Sequence, residues 1–536
     1  MLRITIVIAA LVSCAAMAES GKGRPAPQLL IKAEYRQDAL DYDNVEKRFV
    51  RESARLSFGK SSLSITHVNI GLNKKENRFT LNLSIRELSP YFECEIGHYY
   101  ANFGAGILVG KKIALSPDLF GRSLAVSRGI SFTPCSSGNP YFCFQGIAAG
   151  IRYPSEHVTL SLHGYYSFRN RFVRNDRYHP DITGTSLASI LIRTKKDFRY
   201  SEPVEIQDCG YSFLLTAARC FSLQSYFIYT FIKRSGTRDL LWNFDTTSVP
   251  AGEKRFYGYG FYCQYRDDYV LIFFDLCFPN RIIGTTAGRS KTVRGYALMY
   301  SLAFRHQACS VSFTGKQTDK NFYSPYSSGS AFPETAWTIS LSVRPAKPFT
   351  MGCSFFMEKN RIPSGNEHYL RFIRREQLSF RYSVPLKGSF SVRISDAEEG
   401  TKDGTRRYLQ LTSSARLYIL RSILLGCGGS IRRTGSGRLS GSVSCGTRFA
   451  LFRLLLLDVR YSYYFIAGAN PLYASASRPS DSISRGTFIR TSSHCISGKI
   501  LFRFQGCRFS AEYLHRFSGK QVIQSRVEAS GSCFFQ

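Results

Sequence analysis

The sequence lacks the long apolar runs that a bundle of membrane helices would need. Beyond Ser20, no uninterrupted apolar stretch approaches the ~18 residues of a spanning helix. The densest stretch, Phe449 to Val459, is interrupted by Arg453 and Asp458. We therefore do not expect a helical membrane protein.

The motifs of common catalytic sites are missing as well. The sequence contains no phosphate-binding P-loop, no dinucleotide fingerprint, no Gly-x-Ser-x-Gly elbow and no His-Glu-x-x-His motif. His98, His157 and His163 stand in or beside polar stretches, but a lone histidine without a paired nucleophile is no catalytic site. We expect no enzyme activity, no cofactor and no metal ion.

Acidic residues are scarce relative to basic ones. The chain has 71 Lys and Arg against 38 Asp and Glu, which gives a formal net charge of +33. The basic residues form scattered doublets and no dense tract, and we identify no nucleic-acid-binding module. This excess predicts an anion-attracting cavity or rim, with contact to anionic lipid or nucleic acid as the alternative.

The 15 cysteines show no metal-binding spacing. Many occupy apolar slots of alternating segments, where a free cysteine behaves as a small hydrophobic residue. Cys135 and Cys143 share one irregular stretch and are the best candidates for a local disulfide.

The N-terminus has the pattern of a secretory signal peptide, residues 1–18. Arg3 precedes an apolar run from Ile4 to Val12, and Ala16-Met17-Ala18 supplies a small-x-small cleavage site. The alternative is a lipoprotein signal that acylates Cys14. Residues 19–48 are polar and charged, and form either a periplasmic tail or a first strand.

The chain is rich in aromatic residues, with 42 Phe and 32 Tyr, and in strictly alternating apolar and polar residues. Alternation with a period of two gives a β-strand one apolar and one polar face. The clearest such segments are residues 79–86, 158–169, 221–231, 296–304, 337–344, 349–357, 378–384, 390–394, 455–465 and 527–535.

The connections between these segments are of two kinds. Short polar ones, at 266–268, 305–307, 345–348 and 385–388, alternate with long ones at 245–254, 315–335, 359–375, 396–407 and 467–491. Short turns at one end and long loops at the other are typical of transmembrane barrels. We predict an all-β fold, a single large antiparallel transmembrane β-barrel of about 18 to 24 strands over residues 49–536.

One Gly-rich stretch, residues 97–150, departs from the alternation. Closely spaced glycines allow positive φ angles and close backbone approach. The stretch is predicted to fold against the barrel wall as a lumen constriction, and an ordinary strand with glycines at tight corners is the alternative. The predicted constriction residues are Gly97, Tyr99, Phe103, Gly104, Gly106, Arg128 and Gly146, and the predicted basic lumen residues are Arg86, Arg169 and Arg344.

The same stretch resembles the barrel portion of large, uncharacterised bacterial outer-membrane proteins that often carry an N-terminal helix-hairpin-helix module. The resemblance covers about residues 79–171, in the motifs Gly97–Tyr99, Phe103–Leu108, Arg128–Ile130, Phe144–Ala149 and Tyr165–Arg171. It implies a barrel in the bacterial outer membrane. Residues 19–60 lack the helix-hairpin-helix pattern, so no DNA binding is implied.

These features predict an outer-membrane β-barrel that acts as a pore or transporter for anionic or small polar solutes. Its expected partners are outer-membrane lipid, the barrel insertion machinery, and an unknown small solute or surface ligand. A surface-exposed interaction barrel and a soluble exported β protein are the alternatives.

Overall fold

The computed structural model consists almost entirely of β-strands. It describes residues 28–40, 47–58, 61–71, 78–89, 91–109, 132–135, 143–174, 201–218, 220–234, 254–284, 290–319, 322, 334–364, 367–384, 387–401, 404–420, 422–435, 439–451, 454–466, 472–474, 487–489, 492–504, 507–518 and 521–535. No helix within these ranges is long and apolar enough to cross a membrane.

The strands are numbered along the chain. They are β1 (Gln28–Leu40), β2 (Lys47–Phe58), β3 (Ser61–Gly71), β4 (Arg78–Ser89), β5 (Phe92–Ala101), β6 (Phe132–Pro134), β7 (Phe144–Pro154), β8 (Val158–Arg174), β9 (Ser201–Ala217), β10 (Phe221–Arg234), β11 (Lys254–Arg266), β12 (Val270–Gly284), β13 (Ser290–Arg294), β14 (Ala297–Arg305), β15 (Cys309–Thr318), β16 (Glu334–Val343), β17 (Phe349–Ser364), β18 (Glu367–Val384), β19 (Gly388–Thr401), β20 (Gly404–Leu420), β21 (Ile423–Thr434), β22 (Leu439–Leu451), β23 (Leu455–Ile466), β24 (Leu472–Ala474), β25 (Thr487–Ile489), β26 (Ser493–Phe504), β27 (Cys507–Ser518) and β28 (Gln521–Phe535).

The wall is one closed antiparallel sheet. Neighbours in the chain pair in order, and β28 returns to β1, with Phe535 opposite Leu29, while the other edge of β1 pairs with β2. β24 and β25 form a separate hairpin, and the short β6 and β13 pair only with the ends of β5 and β12. Of the 28 strands in the described part of the chain, 24 therefore form the wall, within the predicted range. Each of these 24 described wall strands therefore pairs with a wall neighbour on both sides, as a bilayer requires.

The first strand, β1, lies within residues 19–48, for which the sequence predicted either a periplasmic tail or a first strand. β1 pairs with both β2 and β28, so the barrel begins at Gln28 and the boundary predicted at residue 49 is too late. Lys32 and Glu34 alternate with Ile31, Ala33 and Tyr35 along β1, so this strand carries the same period-two pattern as the later strands. The predicted signal peptide and Cys14 lie outside the described residues.

Both chain termini of the wall lie at the end with short connections, such as residues 59–60 and 155–157. At the other end, residues 175–200 and 467–492 separate consecutive wall strands. Two of the predicted long loops, 359–375 and 396–407, are wrong, because both ranges lie largely in strands β17 to β20.

Paired charges explain that difference. Arg371 Nη2 lies 2.6 Å from Glu399 Oε1, and Arg407 Nη2 lies 2.5 Å from Asp396 Oδ2. The charged side chains made the composition of these ranges resemble that of loops, but they form ion pairs between neighbouring strands. The strands continue as hairpins beyond their apolar portions.

The outward face of the wall is apolar and the inward face is polar. On β8, Leu162 and Phe168 are 53% and 42% exposed on the outward face, whereas His163 and Ser167 on the inward face are buried. Such an apolar outer surface, repeated around a closed wall, suits contact with lipid. The chain is a transmembrane β-barrel of the outer-membrane type.

Candidate functional site

The chain leaves the wall after β5 and turns into the lumen. We call residues 102–109, from Asn102 to Val109, the lumen segment. Its turn is closed by backbone hydrogen bonds from Phe103 N–H to the Val109 carbonyl at 3.1 Å and from Gly106 N–H to the Phe103 carbonyl at 3.0 Å. Gly104 and Gly106 have φ angles of +56° and +77°, which favour glycine.

Two inward side chains of distant strands hold the backbone of the lumen segment. Gly104 N–H donates to Oε1 of Gln224 in β10 at 2.9 Å, and Ala105 N–H donates to Oδ2 of Asp275 in β12 at 2.6 Å. The second carboxylate oxygen of Asp275 accepts a 2.8 Å hydrogen bond from the Tyr226 hydroxyl. Asp275 is fully buried, and its hydrogen bonds offset the free-energy cost of removing its side chain from water.

Apolar contacts complete this attachment. The ring of Phe103 lies 5.9 Å from the Tyr226 ring and 5.8 Å from the Tyr165 ring, centroid to centroid. Leu108 packs over Gly258 of β11, where an added Cβ would lie 2.6 Å from Leu108 Cδ2. Phe103 and Leu108 are both fully buried. The lumen segment is therefore packed against the inner wall and is not a loop in open solvent.

The chain rejoins the wall through β6, and a clamp of charged groups holds this return. Arg86 donates through Nη2 to Glu95 Oε1 at 2.8 Å and to the Phe132 carbonyl at 2.9 Å. Glu95 also accepts hydrogen bonds from Asn82 and Ser84. Arg86 is thus oriented by a buried carboxylate and holds the start of β6.

A second clamp holds the beginning of β7. Cys135 and Cys143, the pair that the sequence singled out, form a disulfide. Arg169 donates to the Cys143 carbonyl at 2.7 Å, lies 2.7 Å from Asp208, and sits over the Phe144 ring at 4.5 Å. Arg169 and Asp208 are 4% and 0% exposed, so this ion pair is part of the packed wall.

Gly97, Tyr99 and Gly146 form the wall beneath the lumen segment. Gly97 and Gly146 are register partners on β5 and β7. An added Cβ on Gly97 would lie 2.2 Å from the Leu81 carbonyl oxygen, and its φ of +97° also favours glycine. The buried Tyr99 hydroxyl lies 3.2 Å and 3.0 Å from the carbonyl oxygens of Ile147 and Tyr166. These residues lie in the wall beside the lumen segment, and Phe103, Gly104 and Gly106 lie within the segment; that they narrow the lumen stays a prediction.

The three predicted basic lumen residues have different positions. Arg86 and Arg169 point inward, each bound to a carboxylate. Arg344 follows the end of β16 at Val343, is exposed, and donates its backbone N–H to the Ala308 carbonyl, and its place in the lumen stays a prediction. The predicted constriction residue Arg128 lies outside the described residues.

A set of exposed arginines covers the inward face of another part of the wall. The strand register shows that they face inward. Thr338, on the buried inward face of β16, lies opposite Phe356 of β17. Phe356 in turn lies opposite Arg375 of β18, so Arg375 also faces inward. The same alternation continues through β19 to β23. We call the following exposed inward residues the arginine face: Arg375, Arg381, Arg393, Arg406, Arg416 and Arg460.

Small residues separate these arginines. Ser391 and Ser414 lie opposite each other, with hydroxyl oxygens 2.8 Å apart, and the same row continues into Gly428 and Ser444. Because these side chains are short, they leave space above the sheet between the long arginine side chains. Among the described residues, the lumen segment therefore covers the inner wall at β10 to β12, whereas the inward arginines at β18 to β23 are exposed.

The arginine face could have been predicted from the alternating segments, where single arginines stand at polar positions. The scattered basic doublets, considered alone, do not reveal it. In residues 378–384 and 390–394, Arg381 and Arg393 stand in the polar phase. Within the described ranges, no group of three or more His, Cys, Asp or Glu side chains is placed to hold a metal ion.

No protein-family model and no curated protein matches the sequence. Among solved structures, the chain resembles a ferric enterobactin receptor (PfeA) mutant from Pseudomonas aeruginosa, at 8% identity and a TM-score of 0.46, over 95% of this chain and 80% of that one. It also resembles the siderophore receptor PirA from Pseudomonas aeruginosa, at 6% identity and a TM-score of 0.47, over 96% and 81%. A third is the FrpB iron transporter from Neisseria meningitidis, at 9% identity and a TM-score of 0.44, over 95% and 82%.

Proposed function

We propose that this barrel is an outer-membrane transport protein that passes anionic or small polar solutes along the arginine face. The observation that carries the proposal is the asymmetry of the lumen. The lumen segment covers the inner wall at β10 to β12, and the six arginines at β18 to β23 remain exposed. Solutes would pass between the two.

The balance of charge on this side of the lumen supports anions as the preferred solutes. The inward carboxylates Glu399 and Asp458 lie 2.6 Å and 2.7 Å from the guanidinium groups of Arg371 and Arg448. The opposite charges within these two ion pairs largely cancel, whereas the arginine face adds six positive charges. A water-filled path between low-dielectric walls focuses this potential and raises the local anion concentration.

The motifs of the resemblance surround the lumen segment. Phe103–Leu108 belongs to the segment, while Gly97–Tyr99, Phe144–Ala149 and Tyr165–Arg171 belong to the wall beside it. We propose that the shared feature of those barrels is this inward turn and its supports. The motif Arg128–Ile130 lies outside the described residues.

Charge reversal in planar bilayers tests the proposal. The variant Arg393→Glu/Arg416→Glu/Arg460→Glu should shift the reversal potential in a salt gradient toward cation selectivity, relative to the wild type. Arg407→Glu is a single-site control for charge reversal away from the lumen, because Arg407 is exposed on the outward face. Heat-dependent gel migration verifies that each variant folds.

Two outcomes would contradict the proposal. Equal reversal potentials for the triple variant and the Arg407→Glu control would show that the arginine face does not line the conducting path. Folded wild-type protein that forms no channels would favour the surface-interaction alternative.

A further inference from the structure

Cys427 and Cys445 face each other across two neighbouring strands. They are register partners on β21 and β22, both are exposed on the outward face, and their Sγ atoms lie 3.2 Å apart. Register partners in an antiparallel sheet have Cα atoms ~4.5–5.5 Å apart, which falls within the ~4.4–6.8 Å span of disulfides. The two sulfurs can therefore bond through side-chain rotation and a small approach of the strands.

Around these cysteines, the two strands have few side chains that could fix their register. Cys427 lies between Gly426 and Gly428, and Gly446 follows Cys445. Glycine-rich strands pair with weakly specified register, and a slip by one residue turns every side chain of a strand to the opposite face. A slip between β21 and β22 would move inward groups such as Arg448 to the lipid side.

We propose that Cys427 and Cys445 form a cross-strand disulfide that fixes the register of β21 and β22. A barrel of the outer-membrane type folds outside the cytoplasm, where thiols are oxidised. The inference uses only the barrel architecture and does not depend on the solute that the lumen passes.

The oxidant of the proposed reaction is a protein disulfide of the thiol–disulfide exchange class. The Cys427 thiolate attacks one oxidant sulfur, which forms a mixed disulfide and releases the first oxidant thiolate. The Cys445 thiolate then attacks Cys427 Sγ, forms the bond between the two cysteines and displaces the second. The two cysteine thiols lose two protons and two electrons, and the oxidant leaves as a dithiol.

Peptide mapping without reduction tests the bond. Protein purified from the membrane is unfolded in denaturant with N-ethylmaleimide and digested with trypsin, which gives peptides 422–432 and 439–448 with one cysteine each. We expect one species with the combined mass of both peptides less two hydrogens, which separates on reduction. Two N-ethylmaleimide-labelled peptides, or a bond from either cysteine to a different one, would overturn the proposal.

Serine variants test the effect on register. Cys427→Ser and Cys445→Ser should each lower the temperature at which the folded band disappears from gels. Cys353→Ser, an exposed cysteine whose register partners are Leu341 and Leu378, should not. Reductant lowers this temperature in all variants if it also breaks the disulfide between Cys135 and Cys143. The wild type should therefore show a larger decrease in this temperature on reduction than Cys427→Ser shows. Equal losses, or unchanged temperatures in both serine variants, would overturn the role in register.

Discussion

The buried carboxylate of Asp275 is the group whose removal should release the lumen segment. In Asp275→Ala, Ala105 N–H loses its acceptor at 2.6 Å and the Tyr226 hydroxyl loses its acceptor at 2.8 Å. Each buried donor left without a partner costs roughly 1–3 kcal/mol. We therefore expect the docked state to lose about 3 kcal/mol, which lowers its equilibrium constant on the order of 100-fold.

Single-channel recording measures this release. Undocking widens the lumen at β10 to β12, so openings of larger conductance should become about 100-fold more frequent in Asp275→Ala. Asp396→Ala is the matched control, because it also removes a hydrogen-bonded carboxylate, from the outward face of β19. Identical conductance and opening frequency in wild type and Asp275→Ala would refute the attachment of the lumen segment through this carboxylate.

Three further substitutions test the packing of the wall at two positions and the stability of one turn. Gly260→Ala should destabilise the barrel by about 1–3 kcal/mol in urea titrations, because the new Cβ would lie 2.3 Å from a buried tyrosine ring, whereas Gly498→Ala, with no atom within 4 Å, should be neutral. Arg169→Met should cost about 3–5 kcal/mol by leaving a buried carboxylate uncompensated, and adding Asp208→Leu should recover most of it in a double-mutant cycle. Asp267, whose pKa is lowered by the Val270 backbone N–H, the Tyr265 hydroxyl and the Tyr269 N–H, adds stability above its unfolded pKa of about 4, which is lost as the pH falls through its folded pKa. Asp267→Asn should therefore flatten the acid limb of the melting temperature against pH, and an unchanged acid limb would contradict this.

The wall was predictable because its signal is local. Each strand must place alternate residues in lipid and in the lumen, and segments such as residues 158–169 carry that alternation openly. β1 carries the same alternation, with Lys32 and Glu34 between Ile31, Ala33 and Tyr35, but its many charged residues led to its interpretation as either a polar tail or a strand. Arg344 follows the end of β16 at Val343, so the alternation that predicts its direction stops one residue before it.

The lumen segment was only partly predictable. Its glycines, Gly104 and Gly106, mark the turn in the sequence, because positive φ angles favour them. Its anchors leave no such mark, since Gln224 and Asp275 follow the groups they bind by 120 and 170 residues. Only strand order and register bring them to the same place.

The arginine face shows how the pleat divides a charge pattern. Arg406 and Arg407 form one doublet in the sequence, but they lie on opposite faces of β20. Arg406 faces the lumen and Arg407 pairs with Asp396 on the outward face. A basic doublet therefore adds only one positive charge to the lumen side of its strand. The basic surface forms because neighbouring strands each place single arginines on the inward face.

The reversal potential of the wild-type protein in a planar bilayer, under a gradient of potassium chloride, tests the central claim most directly. The exposed arginines predict a potential on the chloride side of zero, with selectivity that weakens as salt screens the lumen. A cation-selective potential, or one that does not depend on salt concentration, would contradict an anion path along the arginine face.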